Sequence, residues 1–228
     1  MNIKLIILCI IIIILLIAPR IAKQVVYKKL TKLLSLHEYE SFEKLLDGFV
    51  CTFSFRPFNR EYMRLTAYLM SNDKEKIEGQ FDNIFKRIKM KDAQKLSVAK
   101  RGFYFYLENK NFDKTKKMLT ICKKSDSDGN ELHNMQLMYD ILVLQKSDYI
   151  SEIKERLESL KKVQATQNTS AHQVRIGVFE YLLGLQYLYQ NNKKSSKNYL
   201  ESALSHCKNT PYENQILSLL NQKGQVSS

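Results

Sequence analysis

The sequence predicts an all-α protein with a single N-terminal transmembrane helix followed by stacked antiparallel helix hairpins, an α-solenoid. Three observations support this prediction. Only 7 glycines and 3 prolines occur in 228 residues, whereas strands joined by tight turns need more of both. Apolar residues recur at spacings of three and four along most of the chain, which is typical of amphipathic helices. The N-terminus carries a long apolar run without a charge.

That apolar run covers residues 5–18. A spanning helix needs about 20 residues, and flanking apolar residues together with the snorkelling side chains of Lys4 and Arg20 supply the difference. The sequence therefore predicts a transmembrane anchor over residues 1–21. A cleaved secretory signal is the alternative, but its cleavage site would be poor because Pro19 would directly follow the scissile bond.

Basic residues are concentrated just after the predicted anchor. They are Arg20, Lys23, Lys28, Lys29 and Lys32. This bias predicts a single-pass protein of the cell membrane whose C-terminal domain faces the cytoplasm, and the same side chains are predicted to contact anionic lipid. Widely spaced cysteines without a CxxC motif agree with a reducing compartment. An external domain remains the alternative.

The net charge of +13 comes mainly from lysine, with 28 Lys against 8 Arg. Such an excess is compatible with nucleic acid, anionic lipid or an acidic protein as partner. Specific nucleic-acid sites depend on arginine forks and stacking aromatics, so the scarcity of arginine disfavours nucleic acid. Solvated helix faces are the simpler explanation of the same lysines.

Beyond the anchor, the periodicity predicts five hairpins and one closing helix. The paired ranges are 22–36 with 39–49, 60–71 with 73–89, 92–108 with 112–124, 131–146 with 148–163, and 171–190 with 193–207, and the closing helix is 211–222. Linkers are predicted over 51–59, which contains Pro57, and over 164–170. The helical-repeat domain thus covers 22–222, and 223–228 is predicted to be a disordered tail.

The predicted turns recur at a nearly constant interval. They fall at His37, Asn72, Lys110, Ser147 and Asn191, which are 35, 38, 37 and 44 residues apart. A period in the mid-thirties is typical of stacked helix hairpins. Neighbouring hairpins must stack because one hairpin cannot bury its own apolar face.

The fifth hairpin has the most specific pattern. Its residues are Leu183-Gly184, Tyr187, Asn191-Asn192, Ser196, Leu200 and Ala203, followed by Pro211. In this pattern the chain resembles the tetratricopeptide repeat (TPR) family. The resemblance implies binding of a protein or peptide on a concave surface lined by the first helix of each hairpin. The chain lacks the family's tryptophan and most of its alanines at helix crossings, which leaves a generic α-solenoid or a compact bundle open.

Sequence motifs for catalysis are missing. The chain has no GxGxxG, no Walker loop and no HExxH, and His37, His133, His172 and His206 share no ligand spacing. The sequence therefore predicts no cofactor, no metal and no enzymatic activity. An active site assembled from separated residues is the remaining alternative.

Two aromatic stretches are the candidate binding residues. Four consecutive aromatics at 103–106 cannot all point inward on one helix, so a groove is predicted. Its residues are Phe103, Tyr104, Tyr106, Tyr181, Tyr187, Tyr189 and Arg175. Stacking in the core is the alternative.

The predicted function is a membrane-anchored scaffold that recruits a protein partner, and the alternative is a basic structural protein that contacts the membrane surface or nucleic acid. The oligomeric state is not predicted.

Overall fold

The computed structural model describes residues 3–124, 129–164 and 169–224, with their side chains except at 3–18, 164 and 222–224. These ranges contain twelve helices and no strand. The helices are α1 (Ile3–Ser35), α2 (Tyr39–Asp47), α3 (Phe49–Ser54), α4 (Pro57–Ser71), α5 (Lys74–Arg87), α6 (Asp92–Glu108), α7 (Phe112–Lys124), α8 (Gly129–Leu142), α9 (Ile150–Gln164), α10 (Ser170–Tyr189), α11 (Lys193–His206) and α12 (Pro211–Gly224). The all-α prediction is confirmed.

The prediction of a transmembrane anchor over residues 1–21 is corrected. Among the residues whose side chains are described, no helix is both long enough and apolar enough to cross a membrane. The described side chains of α1 begin at Pro19, and charge is too dense there for a span. The basic residues are Arg20, Lys23, Lys28, Lys29 and Lys32. The side chains of the run 5–18 lie outside the described residues. The predicted single-pass localisation, with a domain in the cytoplasm, loses its basis with the anchor.

The helix boundaries differ from the predicted ones near the first linker. Residues 51–54 belong to α3, which starts after Gly48 and ends at Ser54. The linker is therefore reduced to Phe55 and Arg56. Helix α4 then begins at Pro57, because the fixed φ angle of proline suits the first helical position, where its missing N–H has no intrahelical partner to lose. The proline that predicted a break thus marks a helix start.

Four of the five predicted turns have a residue in the left-handed region. The φ angles are 58° at His37, 54° at Asn72, 56° at Lys110 and 60° at Asn191. The remaining turn, predicted at Ser147, lies earlier in the structure. Helix α8 ends at Leu142, and Gln145 takes the left-handed conformation with a φ angle of 52°. A left-handed residue after a helix is a common way to end it, and these residues separate consecutive helices.

The chain divides into two compact units, Met1–Val98 and Ala99–Ser228. In the first unit, α1, α2 and α3 bury a cluster that includes Leu30, Phe42, Leu46 and Cys51. A hydrogen bond joins α5 to α4 in the same unit: the Gln80 side chain on α5 donates to the backbone oxygen of Glu61 on α4 at 2.9 Å. All residues of the predicted groove belong to the second unit.

The loop between α8 and α9 is held against α10 by buried polar groups. Gln186, fully buried on α10, accepts a hydrogen bond from the Tyr149 backbone N–H at 2.8 Å and donates one to the Lys146 carbonyl at 2.5 Å. Asp140 is 3% exposed, and its Oδ2 accepts from Lys146 Nζ at 2.9 Å and from the Tyr149 hydroxyl at 2.5 Å. These contacts fix the loop that carries Gln145.

Helices α10 and α11 approach each other closely at two glycines. A Cβ at Gly184 would lie 2.7 Å from Leu200 Cγ, and a Cβ at Gly177 would lie 2.6 Å from Cys207 Sγ and 2.7 Å from His206 Cβ. The Cβ of His206 is fixed to the backbone and cannot rotate away. Only a residue without a side chain fits at Gly177.

We expect Gly177→Ala to lower the free energy of unfolding by about 1–3 kcal/mol, because the added methyl group forces the two helices apart. Urea unfolding followed by circular dichroism measures the change. Gly79→Ala is the matched control, because Gly79 is exposed inside α5 and a Cβ added there would have no neighbouring atom within 4 Å. That substitution should stabilise by about 0.5–1 kcal/mol. Equal effects of the two substitutions would refute the close approach.

The three cysteines with described side chains are Cys51, Cys122 and Cys207, and all three are buried free thiols. Burial raises the pKa of Cys122 and of Cys207 to about 11. A thiol of that pKa is almost entirely protonated at neutral pH, and the protonated form is a poor nucleophile. The sulfur atoms therefore behave as apolar core atoms.

Candidate protein-binding groove

A groove of about 610 Å³ opens in the second unit. It is lined by residues of α6, α8, α10 and α12, by the loops that follow α6 and α8, and by Phe112 at the start of α7. Four tyrosines, Tyr104, Tyr181, Tyr189 and Tyr212, give it its aromatic character. We call this feature the tyrosine groove. Three of the four tyrosines were predicted from the sequence.

Helix α6 turns one residue of its aromatic run toward the groove. Phe103 is fully buried, Tyr106 and Phe105 are buried, and Tyr104 is 39% exposed. Successive helical positions lie about 100° apart, so the buried flanking residues force Tyr104 outward. The prediction that the four aromatics cannot all point inward is confirmed. Glu108, one turn later, also lines the groove.

Helix α10 contributes Tyr181 and Tyr189, whose hydroxyls are held by the protein. The Tyr181 hydroxyl donates to Gln215 Oε1 at 3.1 Å, and the Tyr189 hydroxyl donates to the Ile141 carbonyl at 3.1 Å. Leu185 lies between them on the same wall. These two rings are therefore fixed in place, which makes this wall of the groove rigid.

Helix α12 contributes Tyr212, which no sequence pattern indicated. Its ring lies 5.7 Å from the ring of Tyr181, with an angle of 53° between the planes. Within the described residues, the hydroxyls of Tyr212 and Tyr104 make no hydrogen bond. Tyr212 lies next to Pro211 at the start of the closing helix, a position typical of a capping segment, so nothing in the periodicity pointed to a binding residue.

The phenol groups of the groove stay neutral at physiological pH. Burial raises the pKa of Tyr104 and of Tyr189. Burial also raises the pKa of Tyr181, and Tyr189 and Tyr212 beside it raise it further. The pKa of Tyr212 is raised by burial and then by Tyr104 and Glu108 nearby. All four hydroxyls therefore keep their protons and their hydrogen-bonding capacity.

The other predicted groove residues lie elsewhere. Phe103 and Tyr106 are buried, and Lys114 Nζ lies 5.0 Å from the centre of the Tyr106 ring. Tyr187 stacks on Tyr199 with ring centres 5.6 Å apart and does not line the groove. Arg175 is exposed and lines a different cavity. The structure thus brings together Tyr104, Tyr181 and Tyr189 only.

That second cavity, of about 840 Å³, also lies in the second unit. Three of its titratable groups contact one another: Glu152 Oε1 lies 2.5 Å from His133 Nε2 and 2.9 Å from Arg156 Nη2. Arg175 and Phe179 line the same cavity. Because the central carboxylate is already paired, this cavity offers less to a ligand than the tyrosine groove does.

The residues predicted to contact anionic lipid belong to the first unit. Arg20 and Lys23 line a cavity of about 570 Å³ beside Tyr27 and Phe55, and Lys23 Nζ lies 5.5 Å from the centre of the Phe55 ring. The lysines at 28, 29 and 32 are exposed on α1. Their contact with lipid stays a prediction.

Groups that could bind a metal are not assembled in the described part of the chain: no three His, Cys, Asp or Glu side chains lie close enough to hold an ion. The groove offers mainly phenol, amide, hydroxyl and apolar groups, with one carboxylate and one amine, and such a lining suits non-covalent binding. Comparisons of the chain with protein-family models, with curated proteins and with solved structures found no match.

Proposed function

We propose that this protein is a non-catalytic binding protein that holds a segment of another protein in the tyrosine groove. The observation that carries the proposal is the pair of unbound hydroxyls, Tyr104 and Tyr212, on a wall of fixed aromatic rings. The position of the groove along α6, α8, α10 and α12 also agrees with the binding surface that the resemblance to the TPR family implies.

Tyrosine suits this role for physical reasons. A tyrosine ring offers a large contact area and loses little conformational entropy on binding, and its hydroxyl adds a directional hydrogen bond. Residues that dominate binding energy are enriched in tyrosine and lie in desolvated pockets. In the tyrosine groove, Tyr181 and Tyr189 are already fixed by hydrogen bonds to the protein, so a partner would not have to order them.

The experiment is selection of binders from a random peptide library displayed on phage, with the purified full chain as bait. Dissociation constants of selected peptides are then measured by fluorescence anisotropy. We expect Tyr104→Ala together with Tyr212→Ala to weaken binding by at least about tenfold, because each truncated anchor costs more than about 1 kcal/mol.

The matched control is Tyr187→Ala. Tyr187 belongs to α10, as do two groove tyrosines, but stacks on Tyr199 outside the groove. Selected peptides should bind this variant as they bind the unaltered chain. Equal weakening by both changes, or selection that enriches no peptide, would contradict the proposed function.

A further inference from the structure

The tyrosine groove is nearly free of charge, unlike the chain as a whole. Its lining contains one carboxylate, Glu108, and one amine, Lys110, whereas the chain has a net charge of +13. The lysines of the second unit are concentrated elsewhere, for example on α7, which has five lysines and one aspartate. A groove without net charge gives no electrostatic advantage to an acidic or a basic ligand.

Most of the groove lining is helical, which limits how a bound chain can form hydrogen bonds. The backbone groups of a helix are paired within it, so an extended ligand cannot add to the wall as it adds to a sheet edge. Each N–H of such a ligand that became buried without a partner would cost free energy. A ligand with few N–H groups avoids this cost.

The groove does offer side-chain groups that bind carbonyl oxygens. The Tyr104 and Tyr212 hydroxyls and the amides of Gln145 and Asn214 line it, and none of them is bound to another described residue. A helical ligand would bring its apolar side chains against these polar groups and leave them unpaired. An extended segment with free carbonyls would satisfy them.

Proline-rich segments meet both conditions. Proline has no N–H, and a polyproline II helix has no internal hydrogen bonds, so its carbonyls are free to accept. Its pyrrolidine rings pack on aromatic side chains, as in other proline-binding grooves. Tyr104, which is 39% exposed, and the half-buried Tyr212, whose ring lies 5.7 Å from that of the buried Tyr181, offer such a surface.

We propose that the occupant of the tyrosine groove is an uncharged, proline-rich segment in the polyproline II conformation, recognised by its carbonyls through Tyr104 and Tyr212. This proposal rests on the proposed function of the same groove and specifies the ligand.

The test is binding of fluorescein-labelled decaproline to the full chain, measured by anisotropy. The comparison peptides are a Gly-Ser repeat of equal length, a Glu-rich peptide and an amphipathic helical peptide. We expect decaproline to bind most tightly and its affinity to be nearly the same at low and high salt, because charge does not contribute.

The hydroxyls are tested without removing the rings. We expect Tyr104→Phe and Tyr212→Phe each to weaken decaproline binding by about 3- to 10-fold through loss of one hydrogen bond. Tyr187→Phe, outside the groove, should have no effect. Tyr→Phe changes keep the ring packing, and circular dichroism checks that both variants fold.

Three outcomes separate this inference from the proposed function. If decaproline fails to bind while selection from the peptide library yields groove ligands that are charged or helical, the inference is wrong and the proposed function stands. If decaproline binds but neither hydroxyl matters, the inference is also wrong. If no peptide of any class binds, both fail.

Discussion

Replacing Asp140 with alanine is expected to lower the free energy of unfolding by about 2–4 kcal/mol. The carboxylate is buried and binds Lys146, Tyr149 and Gln136, with Gln136 Nε2 at 2.6 Å. Its removal leaves these groups without their partner, and hydrogen bonds to a charged group are the costly ones to lose. Within this range we expect a loss of unfolding free energy closer to about 2 kcal/mol, because the Lys146 side chain is half exposed to water. Urea unfolding measures the change.

The contribution of the Asp140 carboxylate to the free energy of unfolding depends on pH, and the direction of its pKa shift gives the sign. Burial acts to raise the pKa of Asp140, but hydrogen bonds from Tyr149, Lys146 and Gln136 outweigh it, and the pKa lies below its ordinary value of 3.8. The stabilisation is therefore complete above about pH 4 and is lost as the pH falls through the lowered folded-state pKa. The difference in stability between the unaltered chain and Asp140→Asn should shrink below about pH 4.

Asp148→Ala is the control for both measurements. Asp148 is exposed in the same loop, so its loss should change stability by less than about 0.5 kcal/mol. A large loss with Asp148→Ala, or a difference for Asp140→Asn that grows as the pH falls, would contradict the assignment of the loop contacts to Asp140.

Phe103→Ala is the second change with a large expected effect, about 3–5 kcal/mol of unfolding free energy. The ring is fully buried, and its truncation removes buried apolar surface and leaves a cavity. Thermal or urea unfolding of the purified variant measures the loss. The expected magnitude is a large part of the stability of a typical domain.

The neighbouring Tyr104→Ala is its control, because the two residues are adjacent in sequence and differ in exposure. Tyr104 is 39% exposed, so we expect a loss below about 1 kcal/mol. If Tyr104→Ala destabilised the chain as much as Phe103→Ala, α6 would be rotated relative to the described orientation, and Tyr104 would not be available to a ligand.

Helical content and turn positions could be predicted from the sequence because both depend on local chemistry. Few glycines and prolines, together with periodic apolar residues, favour helices wherever they occur. Asn72 and Asn191 tolerate the left-handed conformation that ends a helix. The turn near Gln145 was predicted too late in the chain, at Ser147, because buried contacts of Asp140 and Gln186 determine the path of that loop. The Gln186 contacts join residues that are distant in sequence, so local patterns do not indicate them.

The groove could be predicted only in part, for a geometric reason. Periodicity gives the angle between two residues on one helix, but not which side of the helix faces its neighbours. The choice between Tyr104 and Tyr106 as the outward residue therefore depends on packing, and so does the side taken by Tyr187. Tyr212 had no periodic pattern around it. Its place in the groove lining follows only from the position of α12 beside α10.

The burial of Cys51, Cys122 and Cys207 has a practical consequence for spectroscopy. With a pKa of about 11 for two of them, about one such thiol in ten thousand is ionised at neutral pH, and none of the three is at the surface. Maleimide dyes or nitroxide labels would thus react first with a cysteine introduced on purpose, once Cys9 is replaced. Labels at Lys110 and Asn214, both in the groove lining, would report directly on the distance across it.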